Sequence, residues 1–547
     1  LSLTDGGDTW EIHPDGRMTR RYEPHPGFSD FLAQVAGRPA VDFSRPAAPG
    51  QLLEAAYEAF WSPSATNWQP TRVLELRGEA AATFARLAGW PVPAADFPLL
   101  LLLRRDHYES LLGDVLEPFG LEVTAREESI DAGIFAQTLV MAALAQGLTA
   151  QEHVFTPGEL PEAKRLAQGE LAGRLARLEG TSDAMLERER EALATLAAML
   201  EADRYLPDAV VALGQPAGDV TPYDMFPRVV AEHSTQRVAS PAGEFGHEAV
   251  LRLWDEAVGT LAPEHRGWVR FADFSWHDQV PSRIGKAMFE SLYGIGADPE
   301  SKTGGTGGIL TAVTVKNWLL HMAKGEPAHV DRHMPAGWRE LDDIELRKAA
   351  KAMPVRAADL GRYMRDRLLR DGKWIVQDGL LQDAEGRPLT VPLLVRLMKG
   401  LAATFGNFFL KFQNTHPQNA VLLVDTETAD LHQAYRAVGQ AAAVLTFLSR
   451  AEGASSIIKT GPIDLARDPI GRVLSENPDD LPHLRPWKEG LESGRWKPAM
   501  TFQVGLPLAG SDVVDAGTPG EHTGYEERKR DKRPPREDFA WHYFPAL

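Results

Sequence analysis

The stretch Ser62–Leu76, SPSATNWQPTRVLEL, decides how the rest of the chain is read. It begins as the end of a helix, passes through a polar turn and becomes a β-rich run. Ser62, Ser64, Thr66, Asn67 and Gln69 crowd hydrogen-bonding groups into the turn, and Pro63 and Pro70 stiffen its ends. Asn and Gln each carry a donor and an acceptor, so such a turn can grip a flat heterocycle presenting alternating carbonyl and N–H groups. Ser and Asn also cap helices and hold turns without any ligand. The flanking elements must therefore arbitrate.

Upstream, Pro49–Phe60 carries Leu52, Leu53, Ala56, Tyr57 and Phe60 at the i, i+3, i+4 spacing of an amphipathic helix leading into the turn. Before it, Gly27–Val35 starts a helix and Arg38–Phe43 reads as a short link. Downstream, Glu79–Ala88 predicts a helix and Phe97–Arg104 an apolar, buried central strand. A long helix follows over Ser129–Gln146; its small residues (Ala132, Gly133, Ala136, Ala142, Ala143) allow another helix to approach closely, and Gly147 is a natural C-cap. Residues 161–203 alternate charges over an Ala/Leu stripe and predict a solvated helical hairpin. Leu206–Pro216 then reads as a strand.

The second half repeats part of this programme. Asn419–Val424 matches the leucine-rich strand, and Asp430–Ala451 is a second long helix rich in small residues. Gly453–Asp464 follows it as a loop and strand, and Lys497–Pro507 matches the late strand. The clearest echo is Leu213-Gly214-Gln215-Pro216 against Val504-Gly505-Leu506-Pro507. No second copy of the polar turn stands in residues 240–418, where helical segments (Glu248–Leu261 among them) and the glycine-rich Thr303–Gly308 are found instead.

The chain has 547 residues, 44% hydrophobic and 24% charged, as in ordinary globular proteins. Its formal net charge of −18 argues against a general nucleic-acid binder, which needs a basic face. With no cysteine there is no disulfide, zinc–thiolate, iron–sulfur or cysteine-nucleophile chemistry. The first residues lack the apolar core of a signal peptide, and runs such as Phe97–Leu103 are far shorter than the roughly 20 residues of a membrane span. A soluble, cytoplasmic protein without membrane or nucleic-acid partners is the expectation.

P-S-x-x-N-x-Q-P after an apolar helix, carried here by Pro63, Ser64, Asn67, Gln69 and Pro70, resembles the flavin-binding signature of the nitroreductase-like FMN oxidoreductases. Residues 28–235 hold that family's elements in order. The resemblance implies an α+β fold of two nitroreductase-like lobes in tandem, each a mostly antiparallel sheet wrapped by helices, forming an intrachain pseudo-dimer. The expected divisions are an N-terminal extension (1–27), a first lobe (28–240), a helical inserted region beginning the second lobe (241–418), its core (419–525) and a charged tail (526–547). Family members bind FMN at a two-fold interface. Here the resemblance implies ring contacts from Ser62, Ser64, Asn67 and Gln69, and backbone contacts from Gly461 and Pro462. Of the family's basic phosphate pattern only Arg38 remains, with Arg228 where a second cation falls. One polar turn implies one well-formed flavin site and one degenerate or filled one.

The activity implied is FMN-dependent hydride transfer to or from a planar or conjugated small molecule, with NAD(P)H or oxygen as electron partner. One alternative is a flavin-dependent dehydrogenase of azoline rings in modified peptides; another is a non-catalytic flavin-binding or partner-binding protein. Further pairing into a homodimer is compatible with either. His329, Asp331 and His333 have metal-like spacing but read as a loop, and no metal is expected. Thr303–Gly308 lacks the Lys-Ser/Thr of a P-loop and reads as a flexible loop, a lid over the substrate being one use open to it. The aromatics of Arg266–Asp278 read as core packing ahead of a pocket lining.

Overall fold

A run of leucines has no polar face, so a strand made of it needs cover on both sides. The computed structural model describes residues 2–5, 8–12, 18–60, 62–63, 71–105, 124–180, 183–203, 205–232, 247–273, 353–355, 357, 368–370, 372–390, 393, 418–428, 430–459, 490 and 493–506. The chain begins with a small antiparallel sheet of β1 (Ser2–Asp5), β2 (Asp8–Ile12) and β3 (Met18–Arg21). Then come α1 (Phe28–Ala36), β4 (Val41–Pro46), α2 (Pro49–Phe60), β5 (Arg72–Leu76), α3 (Gly78–Leu87) and β6 (Leu99–Arg105). After these follow α4 (Thr124–Ala145), β7 (Thr149–Val154), α5 (Leu160–Arg177), α6 (Ala184–Glu201), β8 (Tyr205–Pro216) and α7 (Phe226–Glu232). The second half holds α8 (His247–Gly259), β9 (Val269–Asp273), a hairpin of β10 (Ile375–Gln377) and β11 (Leu380–Gln382), and β12 (Gln418–Asp425). It ends in α9 (Leu431–Ala451), β13 (Ser455–Lys459) and β14 (Trp496–Gly505).

The leucine run is the middle of the first sheet, ordered β4-β8-β6-β5 with β7 also paired to β8, all antiparallel. Leu99, Leu101 and Leu103 face a core under α3, α5 and α6, while Leu100 and Leu102 face the core built on α4 and α9. The predicted hairpin at 161–203 thus covers one face of this sheet. Its Arg174 is buried and donates to the Glu75 carbonyl on β5 and to Glu170 Oε1 at 2.6 Å. The second sheet is ordered β13-β14-β12-β9, also antiparallel, and shares the α4/α9 core. Residues 269–273, expected within a helical inserted region, therefore form its edge strand. Val41, expected in a link, begins β4.

The two long helices cross on glycines. A Cβ on Gly133 would lie 2.0 Å from the Arg436 carbonyl oxygen, and one on Gly439 would lie 1.9 Å from that of Ile130. Each helix thus places its backbone where the other has no side chain. The stretch Glu128–Ala145 is long and apolar enough to span a bilayer by composition, and all of it is buried within the protein. Gly147 ends α4 with a positive φ of 75°, as its sequence position predicts.

The two sheets also share their irregularities. On β8, Leu102 opposes Ala209 and Leu103 opposes Pro207, leaving Asp208 as the extra residue of a bulge. On β14, Leu422 opposes Met500 and Leu423 opposes Pro498, leaving Ala499 extra at the corresponding point. Beside each bulge an arginine covers an aromatic ring: Arg72 over Tyr205 at 5.7 Å, and Arg270 over Trp496 at 5.1 Å. Arg72 opposes Leu103 as Arg270 opposes Leu423.

Candidate functional site

The polar turn is framed by α2 and β5. At its entry Ser62 is buried and its backbone N–H donates to the Ala59 carbonyl at 3.0 Å, closing the helix. At its exit Thr71 is buried, and its Oγ1 meets no hydrogen-bond partner among the described residues. Ser64, Asn67 and Gln69 lie outside the described residues, as do Gly461 and Pro462. The metal-like His329–His333 and the glycine-rich Thr303–Gly308 also lie outside them.

Both phosphate candidates are engaged elsewhere. Arg38 donates from Nη1 to the Val35 carbonyl at 3.0 Å and from Nε to that of Ala150 at 3.3 Å. Burial lowers its guanidinium from the ordinary value, against the opposing pull of Glu152. Arg228 is half-exposed and donates to Glu23 Oε2 at 2.7 Å. Of the described residues, Thr71 fits a polar ligand at the turn, whereas Arg38 is not presented to a phosphate.

Where the first sheet meets α9, the structure brings together charges that the sequence reading did not connect. Arg436 of α9, almost wholly buried, chelates Glu152 of β7 from Nη1 at 3.1 Å and Nη2 at 2.5 Å, and donates from Nε to Asp208 Oδ2 at 3.0 Å. His432 Nε2 lies 3.1 Å from Asp208 Oδ1, and its Nδ1 lies 2.6 Å from Ser129 Oγ on α4. Arg104 of β6 adds ion pairs at 3.6 Å to Asp208 and 3.8 Å to Glu128. Gln440 donates to Glu152 at 3.3 Å. Asp430 caps α9, accepting from the backbone N–H groups of His432 and Gln433.

Burial alone would raise the Asp208 carboxyl, but Arg436, His432 and Arg104 together outweigh it and hold the group well below the usual carboxylate range. For Arg436, burial works against the charge, and Glu152 and Asp208 reverse it and raise the guanidinium. Nearby, the segment between α8 and β9 stacks His265 on Trp268 at 4.4 Å. Burial lowers the His265 imidazole, which also feels Glu264, Arg436 and Glu152. Of the aromatic stretch beyond it, Phe271 is buried and stacks on Trp254 at 5.0 Å, as core packing requires, while Phe274 and Trp276 lie outside the described residues.

The sequence carried one signal for this cluster. Asp208 interrupts an apolar strand and Arg436 a stripe of small residues, and a charge in such a setting needs a partner. The partners are hundreds of residues away, so spacing could not name them.

Residues 47–151 match the family model described as Nitroreductase family, a span running from α2 through the polar turn, β5, β6 and α4 into β7. The resemblance read from the turn and the family match fall on the same stretch, within a mixed helix-and-sheet nitroreductase-like fold. Among solved structures, the hypothetical oxidoreductase YcnD from Bacillus subtilis is 18% identical, over 34% of this chain and 67% of that one, with a TM-score of 0.23. A nitroreductase-like protein from Streptococcus mutans is 16% identical over 36% of this chain and 93% of its own, with a TM-score of 0.23. An FMN-dependent nitroreductase from Clostridium difficile is 13% identical over 35% and 93%, with a TM-score of 0.21. Overlap this low decides nothing by itself. No curated protein matches the chain.

Proposed function

We propose that the chain is an FMN-dependent oxidoreductase that moves a hydride between bound flavin and a planar or conjugated small molecule. The observation that carries this reading is the nitroreductase-family match over residues 47–151, which contains the polar turn. The two sheets, with their matching strand order and bulges, support reading the halves as tandem lobes in an intrachain pseudo-dimer. Residue 241 remains the proposed boundary, with β9 counted to the second lobe. In a composite site, Ser62, Ser64, Asn67 and Gln69 of the first half contact the ring and the backbone at Gly461 and Pro462 closes from the second. Arg38 and Arg228 hold the phosphate only by giving up the carbonyl and carboxylate partners described above.

Bound flavin supplies the two-electron carrier. The chain's amides and hydroxyls supply fixed donors that bind and orient the ring without titrating, and donors near developing negative charge favour the reduced form. NAD(P)H or oxygen is the proposed electron partner.

The test begins with the absorption spectrum of the purified protein, expected to show flavin bands. Anaerobic bleaching by NAD(P)H supports a reductase; bleaching only by an azoline-containing peptide moves the reading to a peptide dehydrogenase. Asn67→Ala is expected to lower flavin occupancy. A colourless parent that takes up no added FMN ends the proposal.

A further inference from the structure

We infer that the charged side of the seam, built from Ser129, Glu152 and Asp208 against His432, Arg436 and Gln440, is a permanently filled counterpart of the ligand side, so that the chain holds one flavin and not two. The inference rests on the flavin reading proposed above.

The two sides correspond position by position. α2 packs on α4 and leads through the polar turn into β5; α8 packs on α9 and leads through residues 260–268 into β9. Residues 260–268 are thus the counterpart of the turn; Thr260 and Arg266 spend their polar groups inside the protein, while His265 Nδ1 is buried with no hydrogen-bond partner among the described residues. Arg266 donates to the carbonyls of Leu261 at 3.1 Å and Gly259 at 2.8 Å, and His265 stacks on Trp268. The segment offers no Asn or Gln side chain to a heterocycle.

The opposing wall differs in kind. Asp208 at the β8 bulge corresponds to Ala499 at the β14 bulge. Glu152 opposes Val211 on β8 as Ile458 opposes Phe502 on β14. The reciprocal glycine contacts set Arg436 against Ile130, and hence Gln440 against Ile134 one turn on. One wall is therefore ionic, its guanidinium satisfied by two carboxylates; the other is built of alanine and isoleucine, buried at Ala499, Ile130 and Ile134 and partly exposed at Ile458. A ring could enter the ionic side only by separating buried partners, which leaves charge uncompensated in the interior. Against the apolar wall no such penalty arises.

The experiment is a flavin count on the full chain, saturated with FMN, freed of excess and measured by native mass spectrometry and by absorbance of the released cofactor. One FMN per chain is expected, unchanged in His265→Ala and in Gln440→Leu. Two per chain would overturn this inference and leave the flavin reading standing. None would overturn the flavin reading and this inference with it. Loss of FMN from either variant, with circular dichroism as in the parent, would place the ligand on the charged side and overturn the inference alone. His265 is on a partly exposed turn, so its variant decides the matter even where Gln440→Leu fails to fold.

Discussion

The seam between the two sheets is closed by charge on one side and by hydrocarbon on the other. Around Asp208, Glu152 and Arg436, specificity comes from geometry: a planar guanidinium fits two carboxylates in one orientation only. Around Ala499, Ile458 and Ile130, closure comes from area removed from water, which tolerates small shifts. The same backbone serves both, down to the bulge on each late strand. The difference teaches that two sheets with matching bulges can be lined by opposite chemistry through a few side-chain changes, without altering the register.

The largest effect should come from removing the central cation. Arg436→Met leaves Glu152 and Asp208 buried without their main partner, and is expected to cost about 3–5 kcal/mol in chemical denaturation. Ile130→Val, at the corresponding point of the other side, is expected to cost about 1 kcal/mol. The triple change Glu152→Ile, Asp208→Ala, Arg436→Ile copies the apolar side and should recover most of the Arg436→Met loss, because the two carboxylates leave with their cation and Arg104 keeps Glu128. Equal losses from Arg436→Met and Ile130→Val would erase the contrast between the sides.

The crossing itself should respond alike from either helix. Gly133→Ala and Gly439→Ala each drive a methyl into a backbone carbonyl that cannot rotate away, so the helices must separate. A loss of about 2–3 kcal/mol is expected from each, since overpacked cores pay in backbone shifts. A large loss from one and none from the other would show that the two helices do not share the crossing evenly.

Much of this fold was legible in the chain, because its main elements are set by local pattern. The amphipathic spacing of Pro49–Phe60 and the leucine run of β6 specify their elements wherever they sit. The small residues of α4 and α9 announced close approach, and Gly133 and Gly439 meet the partner backbone. β9 was hidden because its role depends on pairing with β12, more than a hundred residues downstream. The ionic cluster was hidden for the same reason. Arg38 shows how little a partial motif says of contacts: the family's basic phosphate pattern suggested it as an anion ligand, and the carbonyls it donates to, those of Val35 and Ala150, could not be read from that pattern.

Acid should separate the sides next. The Asp208 carboxyl is depressed in the folded protein, so it binds its proton less readily there than in the unfolded chain. Its stabilisation is fully present above the ordinary carboxylate value of about 3.9 and is lost as pH falls through the folded-state value. Asp208→Asn is therefore expected to cost about 2 kcal/mol at pH 7, with the gap to the parent narrowing only below about pH 4. Denaturation midpoints across pH test this. A gap that stays constant to pH 2 would remove ionisation as the source of the difference.

The smallest effect concerns what the two halves still have in common. Arg72 over Tyr205 and Arg270 over Trp496 are the same contact on corresponding strands, and neither belongs to the ionic cluster. A guanidinium over an aromatic face at a partly exposed site contributes about 0.5–1 kcal/mol. Arg72→Gln and Arg270→Gln should each lose that much, and the double variant should lose the sum, because the two contacts lie on different sheets. Additivity would mean that each sheet end is braced on its own. A double variant costing well beyond the sum would mean that the braces act together through α4 and α9, and the charged and apolar sides would then have to be treated as one cooperative unit.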